Sequence, residues 1–303
     1  MLHFTFVLME AIGNFIDYLE FEKRFSIHTL KAYRSDLQQF AIFLRTEEQV
    51  EKLDEISSPM IRSWLVKMME EGIDPRSVNR KITSLKTFFK YSMKNGWITI
   101  NPMLKVVSPK VPKKLPVYVE AQKMDFLLDS TEFPSGFEGT RDRLILELFY
   151  GTGMRRAELL SLLMEDLDVH QKQLKVTGKR NKQRIIPLHD ALLDLFRQYL
   201  ELRKPIVGND ALVFVTPQGK PLYPELVYRL VKKHLSKVST QSKRSPHVLR
   251  HSFATEMLNQ GADLNAIKEI LGHANLSATQ VYTHNSIEKL RNVYKKAHPR
   301  GEE

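Results

Sequence analysis

A basic, proline-rich stretch divides this sequence of 303 residues into two parts. The segment "NPMLKVVSPKVPKKLPVYV", residues 101–119, holds four prolines, four lysines and no acid. Proline fixes φ and removes a backbone donor, so the segment predicts an extended linker. We therefore expect an N-terminal domain at 1–108, a linker at 109–119 and a second domain at 120–303, a length that suits two domains.

Composition narrows the class of protein. The net charge of +11 predicts a polyanionic partner or a generally basic soluble protein. Cysteine is absent, which excludes disulfides, thiol catalysis and cysteine metal ligands and fits a cytoplasmic location. No apolar run approaches the ~20 residues of a membrane span. The apolar opening predicts a first helix and no signal peptide.

The first domain shows helical periodicity. "SIHTLKAYRSDLQQFAIFL" begins at Ser26, a predicted N-cap, and continues with apolar residues at helical spacing. "SSPMIRSWLVKMMEEG" and "DPRSVNRKITSLKTFFKYSMKNG" each carry an early proline and end at Gly72 and Gly96. Basic residues surround the apolar stripes, as on solvated faces or on faces that meet an anion.

The second domain predicts a mixed fold. A break at Gly151–Gly153 separates two helices, and "QLKVTGKRNKQRIIPL" predicts two short strands around a turn. "LVFVTPQGKPLY" predicts a further strand and turn, and the remainder is helical. The expected fold class is mainly α with a small β-sheet.

Several polar residues in this domain are not needed for a core. Arg155 follows the glycine break, and a guanidinium can bind two phosphate oxygens at once. The basic hairpin around Lys179 is a solvated turn or an anion contact. His247, Arg250 and His251 lie at spacings that share one helix face. The histidine pair also suits zinc, but no acid lies between the two and no third ligand is evident nearby. Gly272 predicts a helix end that turns His273 outward.

With the phenol of Tyr282, these groups form a coherent set. Two arginines can neutralise a phosphorane, a lysine and a histidine can move protons, and a phenol can attack. The set suits metal-free phosphoryl transfer through a covalent intermediate.

Four motifs, "TGMRRAELLSL", "TGKRNKQRIIPL", "HVLRHSFAT" and "LGHANLSATQVYTH", resemble those of the tyrosine recombinases, or phage integrase family, in order and spacing. The segments "HTLKAYRSDLQQFAIFL" and "SVNRKITSLKTFFKYSMKNGWITINP" are similar to the family's N-terminal DNA-binding module. The compact length and the ending "VYTHNSIEKLRNVYKKAHPR" are similar to bacterial Xer recombinases, and "VYKKAHPR" favours the XerC branch.

The resemblance implies a role for each matched residue. Tyr282 is the nucleophile on a DNA phosphate, and His247 is the base. Lys179 protonates the leaving 5′-oxygen, with Lys182 as the alternative. The remaining three residues hold the phosphate: Arg155, Arg250 and His273. Arg156 stands where the family usually has an apolar or small residue, and it is the neighbouring alternative to Arg155.

The resemblance also implies partners. We expect no cofactor, a duplex DNA site with inverted repeats, a tetramer of identical or paralogous protomers joined by the C-terminal helix, and a septum-located DNA translocase. The expected role is chromosome dimer resolution; integration or inversion by a mobile element, a type IB topoisomerase-like relaxase and a non-catalytic DNA-binding relative are the alternatives. Expected DNA contacts in the first domain are Thr29, Arg34, Arg76, Arg80, Lys81 and Lys86.

Overall fold

The chain forms two units, Met1–Lys114 and Leu115–Glu303. The computed structural model describes residues 8–112, 117–130, 132–178, 181–207, 211–240, 243–272, 293–294 and 296–300. The finer predicted division, with a linker at 109–119, stays a prediction. Within these ranges no helix combines the length and apolar character that crossing a membrane requires.

The first unit is helical. Its α-helices are α1 (Leu8–Asp17), α2 (Ile27–Phe43), α3 (Ser58–Glu70) and α4 (Pro75–Lys94). Short π-helical turns at Tyr18–Glu22 and Leu44–Glu48 and a 3-10 turn at Leu53–Glu55 accompany them. The predicted cap of α2 is confirmed, because the Ser26 hydroxyl oxygen accepts from the Thr29 amide at 3.3 Å.

Aromatic side chains fill the core of this unit. Phe15, Phe40, Phe88 and Phe89 are each at most 1% exposed. The rings of Phe15 and Phe88 meet edge to face with centroids 5.4 Å apart. Each buried phenylalanine contributes roughly 1.5–3 kcal/mol, so these rings are a main source of the packing energy between α1, α2 and α4.

The second unit is mixed, and the predicted fold class is confirmed. Its elements are α5 (Ala121–Asp125), α6 (Phe137–Thr152), α7 (Arg156–Leu160), β1 (Leu167–Asp168), β2 (Gln173–Thr177), β3 (Gln183–Pro187), α8 (Asp190–Val207), α9 (Pro224–Leu235), α10 (Pro246–Asn259) and α11 (Leu264–Leu271). A π-helical turn at Phe126–Ser130 and a 3-10 turn at Met164–Asp166 complete the list.

The strands form one antiparallel sheet in the order β1-β2-β3. The predicted hairpin is β2 and β3, with Val176 opposite Arg184. The strand predicted in "LVFVTPQGKPLY" is reduced to two isolated bridges, one from Leu212 to Leu163 and one from Val215 to Pro221. Each bridge joins a single pair of residues, so it forms no ladder and this segment remains irregular.

The described C-terminal residues pack on their own chain. The Tyr294 hydroxyl donates to the Gly151 carbonyl at 2.8 Å, and His298 Nε2 lies 2.8 Å from the same oxygen. Arg300 Nη2 pairs with Asp129 at 2.7 Å. Docking of the C-terminal helix on a neighbouring protomer stays a prediction.

Candidate active site

The site begins where α6 ends. Gly153 adopts a left-handed conformation, φ 60°, and terminates the helix. A Cβ at this position would lie 2.6 Å from side-chain atoms of both Phe253 and Leu271, so only glycine fits there. The break places Arg155 in extended backbone as the N-cap of α7.

A buried carboxylate holds two arginines. Glu158 is 4% exposed. Its Oε2 accepts from the Arg155 amide at 2.7 Å and its Oε1 from Arg155 Nη1 at 2.7 Å. Arg184 adds two parallel bonds, Nη1 to Oε1 at 2.9 Å and Nη2 to Oε2 at 2.8 Å. Burial by itself would raise the pKa of Glu158, but the arginines outweigh it and lower that pKa, so the carboxylate is ionised.

Three arginines bind three consecutive carbonyl oxygens at the end of α11. Arg184 Nε donates to Ile270 O at 2.6 Å, Arg250 Nη2 to Leu271 O at 2.7 Å and Arg155 Nη2 to Gly272 O at 3.3 Å. The last carbonyls of a helix have no partner within the helix, so they accept these bonds. Gly272 ends α11 in the left-handed conformation, as predicted, with φ 66°.

Arg250 comes to this point from α10. Its Nη1 donates to the Gly153 carbonyl, so one side chain joins the break after α6 to the end of α11. Burial and the charges of Arg155 and Arg184 lower the pKa of Arg250 to about 10. It remains a cation at neutral pH, in a place where positive charge is in excess.

The structure therefore brings together two of the predicted catalytic residues, Arg155 and Arg250. His247 is exposed and lies one helical turn before Arg250 on α10. Lys179, His273 and Tyr282 lie outside the described residues. Lys179 follows Gly178, where a built Cβ would be 3.1 Å from Glu158 Oε1, and His273 follows Gly272 in the chain.

The DNA contacts expected from the first unit divide into two groups. Arg34, Arg76 and Lys86 are exposed, and the Thr29 hydroxyl pairs with Ser26 at 2.9 Å. Lys81 is 5% exposed, and its Nζ binds Asp36 Oδ1 at 3.0 Å. The ammonium group of Lys81 is thus buried against a carboxylate, and its contact with DNA stays a prediction.

Arg80 shares the same carboxylate. Its Nη1 pairs with Asp36 Oδ2, while its side chain is 46% exposed. Arg80 thus keeps one face in solvent, and its contact with DNA stays a prediction.

Arg184 is the residue of the site that the sequence did not single out. It lies in β3 at 3% exposure, on the same face as Ile186. Period-two alternation in "QRIIP" already places it on the apolar face of a predicted strand. An arginine on an apolar strand face needs a buried partner. The position of Arg184 in the strand pattern was therefore the sequence signal that could have identified it.

Comparison with known proteins shows the family to which the chain belongs. Residues 118–289 match the phage integrase family, and residues 12–96 match its N-terminal SAM-like domain. The chain belongs to the phage integrase family. A tyrosine recombinase XerC from Chlorobaculum parvum is 38% identical over 94% of this chain and 93% of its own. A tyrosine recombinase XerD from Listeria innocua is 37% identical, with 96% and 99% covered. The chain is a tyrosine recombinase of the Xer type.

A solved structure shares the fold. The XerH site-specific recombinase, bound to palindromic difH substrate in a post-cleavage complex, is similar with a TM-score of 0.74. It is 21% identical, with 94% of each chain covered.

Proposed function

We propose that this recombinase cuts and rejoins duplex DNA through a 3′-phosphotyrosyl intermediate, with Tyr282 as the nucleophile. The observation that carries the proposal is the charge imbalance at the end of α11, where Arg155, Arg184 and Arg250 surround one carboxylate, Glu158. A phosphodiester gains negative charge on its nonbridging oxygens during substitution. Preformed guanidinium groups stabilise that charge without reorganising.

In the first step the Tyr282 oxygen attacks phosphorus, and the bond from phosphorus to the 5′-oxygen breaks with its electron pair on oxygen. Phenol has a pKa of about 10, so His247 takes its proton. Lys179 gives a proton to the departing 5′-oxygen. Arg155 and Arg250 hold the nonbridging oxygens, and His273 donates a further hydrogen bond.

The second step is the reverse with a new partner. The 5′-hydroxyl of another strand attacks the phosphotyrosine and releases Tyr282. One phosphoester replaces another in each step, so the reaction needs no ATP. The guanidinium groups supply the charge stabilisation that a metal ion provides in other phosphoryl transfers, so we expect no metal requirement.

Basic residues of the first unit supply backbone contacts in this proposal. Arg34, Arg76 and Lys86 are exposed cations, Arg80 is half exposed and Thr29 lies at the start of α2. Phosphate contacts provide salt-dependent affinity, and helices in the major groove provide sequence choice.

The relatives named XerC and XerD suggest the wider setting. We propose a palindromic or near-palindromic DNA site, a tetramer of identical or paralogous protomers and a septum-located translocase as partners. The role that fits them is chromosome dimer resolution. Integration or inversion by a mobile element is the alternative.

Covalent trapping tests the chemistry. Duplexes that carry inverted repeats from the source genome are nicked near the centre, so that the 5′-end released by cleavage diffuses away. We expect a protein–DNA adduct in buffer with a metal chelator and without ATP. The released fragment carries a free 5′-hydroxyl, which polynucleotide kinase labels after it has been purified. Tyr282→Phe removes the adduct.

Tyr33→Phe is the matched control, since the Tyr33 ring packs on Phe15 in the first unit. It keeps adduct formation. An adduct that persists in Tyr282→Phe contradicts the assigned nucleophile. Site-independent plasmid relaxation without strand exchange indicates a relaxase instead, and DNA binding without any adduct indicates a non-catalytic relative.

A further inference from the structure

An open pocket of about 360 Å³ lies beside His247 at the start of α10. Three basic side chains contribute to its lining, Arg156, Lys243 and Arg244. None of the described residues that line it is acidic. Like charges that share one concave surface repel each other, and a bound anion relieves this repulsion.

In the part of the chain that the structure describes, the hydrogen bonds given for two of these cations go to neutral carbonyl groups. Arg156 Nη1 donates to the Pro224 carbonyl at 3.3 Å, and this neutral acceptor orients the guanidinium. Arg244 Nη1 donates to the Ser239 carbonyl at 3.4 Å. The Nε of Arg244 is buried and has no hydrogen-bond partner in the described part of the chain. A cation whose hydrogen bonds go only to neutral oxygens keeps its charge for a bound anion.

The pocket adjoins the candidate active site on two sides. Arg156 is the residue next to Arg155, and His247 belongs to both surfaces. Arg156 is also the position at which this chain departs from the family's usual apolar or small residue. A cation here therefore adds to the arginines that the proposed chemistry uses.

We infer that this pocket binds a backbone phosphate of the DNA that flanks the scissile phosphate. The inference rests on the proposed function, because a strand with one phosphate between Arg155 and Arg250 carries its next phosphates past His247. The ligand is a phosphodiester monoanion, held without regard to base sequence. The subsite fixes the register of the strand on the enzyme.

Neutral backbone links test the subsite. A methylphosphonate replaces each phosphate within two positions of the scissile one, in turn, and the dissociation constant is measured for wild type and for Arg156→Ala/Lys243→Ala. At one flanking position we expect neutralisation to weaken wild-type binding by roughly ten- to hundredfold and to leave the double variant nearly unchanged. The salt dependence of the double variant becomes less steep by about one to two in log–log slope.

Lys233→Ala/Lys232→Ala on α9 is the matched control, since it removes the same charge from exposed positions outside the pocket. It retains the wild-type interference pattern. The subsite is overturned if, at every flanking position, the methylphosphonate weakens binding of the double variant as much as it weakens binding of wild type. This holds even while covalent adducts form. Absence of any wild-type adduct overturns the proposed function and the subsite with it.

Discussion

Asp36 in the first unit and Glu158 in the second are buried carboxylates that bind cations, and the two clusters differ in their surplus charge. Asp36, 1% exposed, accepts from Arg80, from Lys81 at 3.0 Å and from the Ser84 hydroxyl at 2.8 Å. Glu158 in the second unit accepts hydrogen bonds from Arg155 and Arg184. Arg250 is close enough for its charge to interact with all three of these side chains. Among the described residues, Asp36 thus faces two cations and Glu158 faces three.

The partners of the cations explain the difference. Lys81 also binds the Gln39 side chain, and its ammonium nitrogen lies 5.8 Å from the Trp64 ring centroid. Its charge is therefore compensated within the core of the first unit. The three arginines around Glu158 donate their other hydrogen bonds to carbonyl oxygens, which carry no net charge: those of Gly153, Ile270, Leu271 and Gly272. The second cluster therefore has the larger surplus of positive charge, and we propose that this surplus serves an anion.

The largest expected effect comes from Arg250→Lys. Lysine keeps the charge but loses the planar fork that joins Gly153, Leu271 and, in the proposed reaction, phosphate. We expect adduct formation at saturating DNA to fall by about 10²–10³-fold, with binding nearly unchanged. Arg197→Lys, an exposed arginine paired with Asp194 on α8, is the control. Cleavage within a factor of a few of wild type would contradict the role of the fork.

Matched carboxylate substitutions compare the two clusters directly. Asp36→Asn and Glu158→Gln each leave buried cations without a counter-charge, so each lowers the free energy of unfolding by about 3 kcal/mol. Only Glu158→Gln also slows adduct formation at saturating DNA. Both tryptophans, Trp64 and Trp97, lie in the first unit, so their fluorescence in urea reports Asp36→Asn, while circular dichroism reports both. Equal effects of the two variants on cleavage would remove the distinction between the clusters.

Low pH is expected to destabilise the second unit through a buried histidine, His298. Burial lowers the pKa of His298 to about 3, and the nearby His189 ring adds to this. The unfolded chain, with an ordinary histidine pKa of about 6.5, binds protons first as pH falls. Stability of the second unit therefore decreases between about pH 6.5 and pH 3, by about 2 kcal/mol at pH 5 for this one group.

His298→Gln removes that contribution while the first unit, followed by tryptophan fluorescence, serves as an internal reference. Urea unfolding followed by circular dichroism at pH 7 and pH 5 measures it. An unchanged pH dependence in the variant would show that another group carries the acid sensitivity.

The smallest expected effect is that of Arg184→Lys. Lysine cannot bind both Glu158 oxygens and Ile270 at once, so Arg155 and the end of α11 lose a common support. We expect about tenfold slower adduct formation at saturating DNA with an unchanged dissociation constant. A purely structural role would lower the unfolding temperature and leave the rate at low temperature intact.

Local signals predicted the helices, the cap at Ser26, the hairpin and the helix end at Gly272, since each depends on a few neighbouring residues. Partners far apart in the chain escaped prediction. Lys81 lies on the apolar face of α4, but Asp36, which binds it, is 45 residues away. Arg184 and Glu158 are 26 residues apart. Lys179, His273 and Tyr282 keep roles that come from motif resemblance, and their positions lie outside the described residues.

The central claim is that surplus arginine charge at the end of α11 serves the scissile phosphate. A methylphosphonate at the cleavage position removes the negative charge that Arg250 is proposed to balance. The account predicts that Arg250→Ala forms adduct about tenfold faster on the neutral link than on the phosphodiester, while wild type shows the opposite preference. The same ratio of adduct-formation rates on the two links in wild type and in Arg250→Ala would contradict it.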